Sequence, residues 1–586
     1  MNSETKTCQN CKAQFTIVPE DFAFYDKLKV PPPTWCPQCR LQRRLTQINV
    51  RVLYKRTCDL CKKETLSLFP KDSRYVVYCQ QCWWSDQWDP LSYGRDVDFS
   101  RPFLEQFKEL LDRTPQFGPQ TMHMTMVNSE YCNLASYLKN CYLLFGSDFD
   151  EDCAYSTYLE NSKNAMDIYM GDLCELCYDS SNIYKCHRVL FSTNCNDCVD
   201  VSFSHNLAAC SNCFGCINLR SKNYYIFNQP YSKEGYISEL KKFDVGSYKG
   251  VLAVKERVEE LAKSQPRKFA EGLKNLNVSG DYIFNSKNVF LSYEMGGCED
   301  CKFCQLVFIP PAKDSYDVTM WGGNFTRCYE CMGAGNGENT IKFSIDSWAE
   351  AHDLEYCRDI LASAANLFGC YALRNKKYCI LNKQYTQEEY ESLVPRIIEH
   401  MKNMPYVDAT GKVYGYGEFL PPELSYFAYN ESFAQEYFPL TKEQAIAQGY
   451  RWADREERNY QITKNAVDLP DSIEDVPDSI LNETIGCAHA GTCNEQCSTA
   501  FKLIPSELQF YRSLVLPIPR LCPNCRHYAR MGQRNNVTTR FFERRCMCDK
   551  KHLQHDGQCP NTFETSYAPE RPEIVYCEQC YQAEVV

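Results

Sequence analysis

The sequence has no run of 18 or more apolar residues, which excludes an ordinary membrane-spanning helix. Its first residues are polar and carry no apolar core of the signal-peptide kind, so a secretory leader is not expected and a reducing cytoplasm is. Histidine is scarce, at nine residues. His123, His187, His205 and His352 are scattered, without an HExxH pair or a nucleophile elbow. The glycine-rich run Gly333-Ala334-Gly335-Asn336-Gly337 lacks the Lys-Ser/Thr of a phosphate loop. The acidic run 148–152 reads as a solvated turn, since nothing fixes a productive carboxylate separation. These absences argue for a protein that is not an enzyme. A polysaccharide-active β-solenoid enzyme is a weaker alternative, resting on fold analogy alone.

What is abundant is cysteine, 37 in 586 residues. In a reducing compartment such cysteines are metal ligands or buried thiols rather than disulfides, and an odd count also argues against full pairing. Near the start, Cys8-x-x-Cys11 is followed by Cys36-x-x-Cys39, and Cys58-x-x-Cys61 by Cys79-x-x-Cys82. Near the end, Cys493-x-x-x-Cys497 precedes Cys522-x-x-Cys525, and Cys546, Cys548 and Cys559 precede Cys577-x-x-Cys580. The two ends are copies: Phe15, Ile17, Pro19, Phe24 and Tyr25 match Phe501, Leu503, Pro505, Phe510 and Tyr511 in kind and spacing. Two cysteine turns complete a tetrahedron around Zn²⁺ with Zn–S near ~2.3 Å, and four thiolates leave no open position for substrate. About four structural zinc sites are therefore expected. An iron–sulfur cluster is the alternative cofactor for such ligands. In the last site Cys546 with Cys559 is preferred and Cys548 competes. In the first C-terminal site Cys487 or His489 competes with Cys493.

The segments 8–40 and 497–526, with their aromatic spacers and closing Cys-Pro-x-Cys-Arg, resemble zinc-binding domains of treble-clef type found in many bacterial proteins. The whole chain also resembles a set of uncharacterised cysteine-rich proteins of candidate-phylum bacteria, through Trp83-Trp84-Ser85-Asp86-Gln87-Trp88-Asp89-Pro90 and the run 567–576. That resemblance implies zinc sites at both ends and no particular activity.

Between the ends, short apolar segments recur at Cys141, Cys153, Ala165, Cys177, Cys186, Cys198 and Cys213, often with Asn or Asp just before, as at Asn140, Asp152 and Asp197. Such regular short strands predict a parallel β-solenoid, with two strands per coil of about 21 to 27 residues. An antiparallel sandwich fits short strands less well, because the step is nearly constant. The unit is duplicated: residues 214–220 and 224–236 match 368–374 and 378–390 at an offset of 154. The 19 cysteines of this region, some replaced by Ala165 or Val289, read as compact core residues rather than ligands.

The expected organisation is mainly β and multidomain: a tandem zinc module (1–90), a helical linker (91–125) with a helix at 99–111, solenoid copy 1 (126–245), a helical linker (246–277) with a helix at 254–274, solenoid copy 2 (278–405), an irregular linker (406–486) and a second tandem zinc module (487–586). Helix-prone stretches at 232–242 and 386–401 are placed to cap the solenoid ends. Net charge is −11, yet residues 1–85 and 487–551 each carry +7, leaving −25 for the rest. Basic ends suggest an anionic partner such as RNA, DNA or a ribonucleoprotein, with Arg40, Arg43, Arg44, Arg520, Arg526, Arg530 and Arg534 touching phosphates. Trp35, Tyr54, Tyr528 and Phe541 are candidates for stacking on bases. The competing reading is that the basic ends dock on the acidic middle of this chain or of another copy, in an assembly scaffold whose zinc is purely structural.

Overall fold

The computed structural model describes residues 2–348, 350–454, 460–533 and 540–585. It is mainly β, with two parallel β-solenoids between small cysteine-centred modules. Copy 1 runs through a 12-stranded sheet and copy 2 through a 13-stranded one.

In copy 1 the register advances by 12 residues at each step: Phe145 faces Thr157, Thr157 faces Tyr169, Ser181 faces Thr193, and Thr193 faces His205. A whole coil is therefore 12 residues, not the 21 to 27 expected from two strands per coil. The reason lies in the backbone. Every third residue is left-handed, for example Asn140, Leu143, Gly146, Phe149 and Asp152, with φ of 54–61°. Each such residue turns a corner, so a side is three residues long and four sides close the coil. Asn and Asp recur at corners because their short polar side chains tolerate this conformation. They also bond along the solenoid: Asn128 Nδ2 donates to Asn140 Oδ1 (3.1 Å), and Asn140 Nδ2 to Asp152 Oδ1 (3.0 Å).

Four interior columns follow. One contains Cys141, Cys153, Ala165, Cys177, Val189, Val201 and Cys213, and another Cys174, Cys186, Cys198 and Cys210, all buried. A third holds Ser180, Ser192, Ser204 and Cys216, where each hydroxyl accepts the N–H of the next column member at 3.0–3.1 Å. So tight a coil has a narrow lumen, which selects small side chains, and Cys packs there as a compact apolar group. All 19 central cysteines are buried. The thiol of Cys174, for instance, donates to the carbonyls of Asp172 (3.4 Å) and Ile183 (3.5 Å).

Copy 2 repeats the design with some longer coils: Tyr316 faces Tyr329, and Asn339 faces His352, 13 residues apart. The copies lie side by side and antiparallel. Gln120 bonds Asp346 (2.9 Å), Tyr158 packs on Phe308, and Asn194 bonds Tyr282 (3.4 Å). Contacts thus move back along copy 2 as copy 1 advances.

The helix Phe103–Arg113 leads into copy 1. The helices Lys233–Leu240 and Gln387–Asn403 sit at the ends of the two solenoids, where Tyr236 packs on Tyr224 and Tyr390 on Tyr378. The inter-copy helix is Tyr248–Lys263, earlier than the predicted 254–274. Ser247 caps its start by accepting from Gly250 N (3.1 Å), and it stops ahead of Pro266.

Candidate metal centres and their docking arginines

The ends contain four versions of one unit: a cysteine turn set in a short hairpin, then a second cysteine turn that opens a helix. The hairpins pair Glu4–Thr7 with Gln14–Ile17, Tyr54–Thr57 with Glu64–Ser67, Ile485–Gly486 with Ala500–Phe501, and Phe542–Arg545 with Thr562–Thr565. The helices are Pro37–Leu45, Gln80–Trp84, Pro523–Gly532 and Glu578–Val585.

Each unit gathers four thiols within 4.8 Å of one another: Cys8, Cys11, Cys36 and Cys39; Cys58, Cys61, Cys79 and Cys82; Cys487, Cys497, Cys522 and Cys525; Cys546, Cys559, Cys577 and Cys580. These groups can hold metal ions. Sulfur separations support this, at 3.7 Å for Cys11–Cys36, 3.8 Å for Cys61–Cys79, 3.9 Å for Cys497–Cys522 and 4.0 Å for Cys559–Cys577. A tetrahedral thiolate site with bonds near 2.3 Å has edges of about 3.8 Å. One bond recurs in all four units: the N–H of the third cysteine donates to the sulfur of the first, at 3.2 Å (Cys36 to Cys8), 3.2 Å (Cys79 to Cys58), 3.3 Å (Cys522 to Cys487) and 3.2 Å (Cys577 to Cys546). Such amide bonds stabilise a thiolate. Hydrogen bonds among the thiols hold Cys8 and Cys522 below the ordinary thiol value and hold Cys39 and Cys525 above it, so each group shares its protons unevenly.

The recurring bond places Cys487 where Cys8 stands in the first unit. Cys493 is not in that foursome, but its sulfur lies 3.7 Å from Cys525, so this unit gathers five thiols. His489 points elsewhere, to Glu495 (3.1 Å). An insertion hides Cys487 in the sequence: five residues separate Cys8 from Ala13, whose carbonyl its N–H meets, whereas twelve separate Cys487 from Thr499 in the same relation. In the last unit Cys546 and Cys559 join the foursome, and Cys548 faces another way, against His552 and His555.

The arginines are placed differently from the phosphate-contact expectation. Arg40, Arg43 and Arg44 are at most 1% exposed, and Arg520, Arg526 and Arg530 are also buried. On the Pro37–Leu45 helix, Arg40 donates to Asp317 (2.7 Å), Arg43 to Glu330 (2.9 Å) and Glu418 (2.8 Å), and Arg44 to Asp317 and Glu330 (both 3.0 Å). On the Pro523–Gly532 helix, Arg526 meets Glu507 (3.2 Å) and Asp167 (3.4 Å), and Arg530 meets Asp167 (2.9 Å) and Asp179 (3.4 Å). Arg520 donates to the carbonyls of Pro470 (2.7 Å) and Leu469 (3.3 Å). Burial is the largest single influence on Arg40 and Arg526 and opposes their charge, but their neighbours together, Asp317 and Asp167 first among them, outweigh it and hold both cations. These six side chains are thus spent inside the molecule, five of them on solenoid carboxylates at left-handed corners and Arg520 on backbone carbonyls. Arg534 lies outside the described residues. Trp35 is buried beneath Arg43, its ring centre 4.5 Å from the guanidinium; Tyr54, Tyr528 and Phe541 are half-buried.

The two interfaces are equivalent. Asp167 and Asp179 of copy 1 correspond to Asp317 and Glu330 of copy 2. Tyr25 packs on Tyr329 as Tyr511 packs on Tyr178, with ring centres 5.5 Å apart in both. Arg40 lies over Phe303 as Arg526 lies over Tyr155. The N-terminal unit therefore grips copy 2, and the C-terminal one grips copy 1. The second unit of each end adds a parallel strand to the entrance of a solenoid, Val77–Tyr78 on Gln116–Phe117 and Val575–Tyr576 on Arg267–Lys268. The acids were missed in the sequence because nothing local marks them; only aligning the two copies sets Asp167 against Asp317.

Among the described residues no helix is long and apolar enough to cross a membrane. No family model matches the chain, and no curated protein does. Among solved structures, a proposed acetyltransferase from Desulfovibrio desulfuricans G20 is similar over 48% of this chain and 74% of its own, at 10% identity and a TM-score of 0.09, which carries no argument about fold or activity.

Proposed function

We propose that the chain is a non-enzymatic scaffold in which zinc-loaded modules clamp two β-solenoids into one body. The observation that carries this is the burial of the module arginines against Asp317, Glu330, Asp167 and Asp179. Zinc suits the four-thiolate groups, since it takes tetrahedral sulfur sites and has no redox chemistry of its own. A site closed by four thiolates offers no place for substrate, so the metal's role is to hold each small unit folded. No two of the 37 cysteines are joined in a disulfide, in keeping with a reducing cytoplasm.

The nucleic-acid reading loses its main support. Of the 14 basic residues in 1–85, the arginines at 40, 43, 44, 51 and 56 are buried, and of the seven acids only Asp21 is. The solvent-facing charge of that end falls from +7 to +3 accordingly. Partners are instead expected to be proteins, docking on the outside of the assembled body. Elemental analysis of protein purified without chelator tests this, with carried-over nucleic acid read in the same sample. Four or more zinc ions per chain and no nucleic acid support the clamp. RNA or DNA that is shed as salt rises restores the phosphate-binding reading, and chains without zinc overturn the proposal.

A further inference from the structure

The last unit carries an insertion that its N-terminal counterpart lacks. The N–H of Cys58 meets the carbonyl of Lys63 five residues on, whereas that of Cys546 meets Asn561 fifteen residues on. The extra loop brings Cys548, His552 and His555 to the far side of Cys580. These four ligand atoms also lie within 4.8 Å of one another. His552 Nε2 is 3.2 Å from the Cys548 sulfur, and His555 Nε2 is 3.1 Å from the Cys580 sulfur.

The geometry points to a second metal ion here, held by Cys548, His552, His555 and Cys580, with Cys580 shared between it and the four-thiolate site of Cys546, Cys559 and Cys577. Two sulfurs and two imidazole nitrogens in one cluster suit tetrahedral Zn²⁺. The tautomer of His555 is set for this. Its Nδ1 lies 2.7 Å from the Gly557 carbonyl, which can only accept, so Nδ1 carries the proton and Nε2 turns its lone pair toward the sulfurs. Cys548 is fully buried, and its sulfur faces His552. Glu584 stands 3.4 Å from His552 Nε2 and pairs with Lys550, which places a carboxylate and an ammonium at the edge of the cluster. On binding the second ion, Cys548 releases its proton to solvent, both histidines bind neutral, and Cys580 adds a second metal–sulfur bond as a bridging thiolate.

The site sits between the insertion and the Glu578–Val585 helix. That helix presents Tyr581 to copy 1, where its hydroxyl meets Asn218 at 3.1 Å. The second ion therefore ties this inserted loop to the helix that docks there. Because this ion has two neutral imidazoles and two thiolates, one of them shared, where each of the other sites has four thiolates, it is the first to leave under a chelator.

The test uses the full-length chain. Wild type purified without chelator is expected to hold five zinc ions by elemental analysis, and Cys548→Ser and the double variant His552→Ala/His555→Ala four each. A chelating dye should draw one ion from wild type well before the other four, and this fast phase should vanish in both variants. Loaded with ¹¹³Cd, the wild type should show two resonances split by each other through the shared sulfur, a splitting lost in the double variant. Four ions in the variants report that the rest of the chain is folded. Four in wild type, with variants unchanged and no splitting, overturn the second ion while leaving the clamp intact. Fewer than four in wild type overturn both.

Discussion

Asp317→Asn isolates the contribution of the clamp. Around Asp317, three guanidiniums (Arg40, Arg43, Arg44) face three carboxylates (Asp317, Glu330, Glu418), none more than 7% exposed. The charges balance, and asparagine keeps the size while removing one of them. Arg40 and Arg44 then stay buried without the anion that both contact at 2.7–3.0 Å. Leaving a buried charge unpaired costs about 3–5 kcal/mol. At about 1.4 kcal/mol per tenfold, the Pro37–Leu45 helix should open from copy 2 between two and nearly four orders of magnitude more often. Amide hydrogen exchange over that helix, at fixed pH and with zinc present, reads this directly. Asp314→Asn is the control: its partner Lys27 is 52% exposed, so that pair is worth at most about 1 kcal/mol. The reasoning is refuted if Asp317→Asn raises exchange no more than Asp314→Asn does. The equivalence of the two ends adds a second condition, since Asp167→Asn should free the Pro523–Gly532 helix and leave Pro37–Leu45 protected.

Three further predictions concern the cysteines, the coil corners and pH. Cys11→Ser should lose one metal ion per chain, whereas Cys186→Ala, inside copy 1, should leave metal content unchanged and cost about 1 kcal/mol by urea unfolding. At the corner residue Asn140, φ 55°, valine should cost about 1–2 kcal/mol for the left-handed backbone alone. Asn140→Gly keeps the corner and loses only the two ladder bonds, so its urea midpoint should lie above that of valine. Burial pushes the Asp150 carboxyl inside copy 1 up to about 10, although Ser162 N donates to it at 2.9 Å. Its folded value then exceeds the unfolded one, so it favours folding at low pH and loses that contribution as pH rises from about 4 to about 10. Asp150→Asn should flatten this part of the stability–pH curve, and an unchanged slope would show the carboxyl to be ionised in the folded chain.

The parts legible in the sequence were those whose determinants lie close together. Cysteine pairs three residues apart announce their turns, and the 12-residue recurrence announces a solenoid. The coil size was misread because a step of 12 suggests one strand and one turn, while three-residue sides joined by left-handed corners close a full circuit in the same length. The steps of 9 and 15 among the apolar anchors are moves between interior columns, each a multiple of the three-residue side. Cys487 was visible only as an alternative, since a seven-residue insertion breaks the spacing of its turn. The histidines at 552 and 555 carry one sequence signal, Cys-x-x-x-His-x-x-His in a loop absent from the other end. The arginines were seen as charge, but their partners were not, because Asp317 and Glu330 lie more than 270 residues away and are brought near only by the side-by-side packing of the copies.

That packing also dictates an order of assembly. Because the N-terminal unit grips copy 2 and the C-terminal unit grips copy 1, neither first-unit clamp closes between neighbours in sequence. The Pro37–Leu45 helix meets its carboxylates only once residues 317 and 330 exist and copy 2 has coiled. Until then Arg40, Arg43 and Arg44 would be exposed cations on a short helix, and a short helix is marginal alone in water. Four thiolates around a metal need no distant partner, so each unit can fold on its ion and wait. The solenoid, in turn, leaves acids at its corners that repel one another until the arginines arrive. An ion held by the four thiolates would thus stabilise locally what the fold completes only at long range, until each crossed clamp closes on its own solenoid copy.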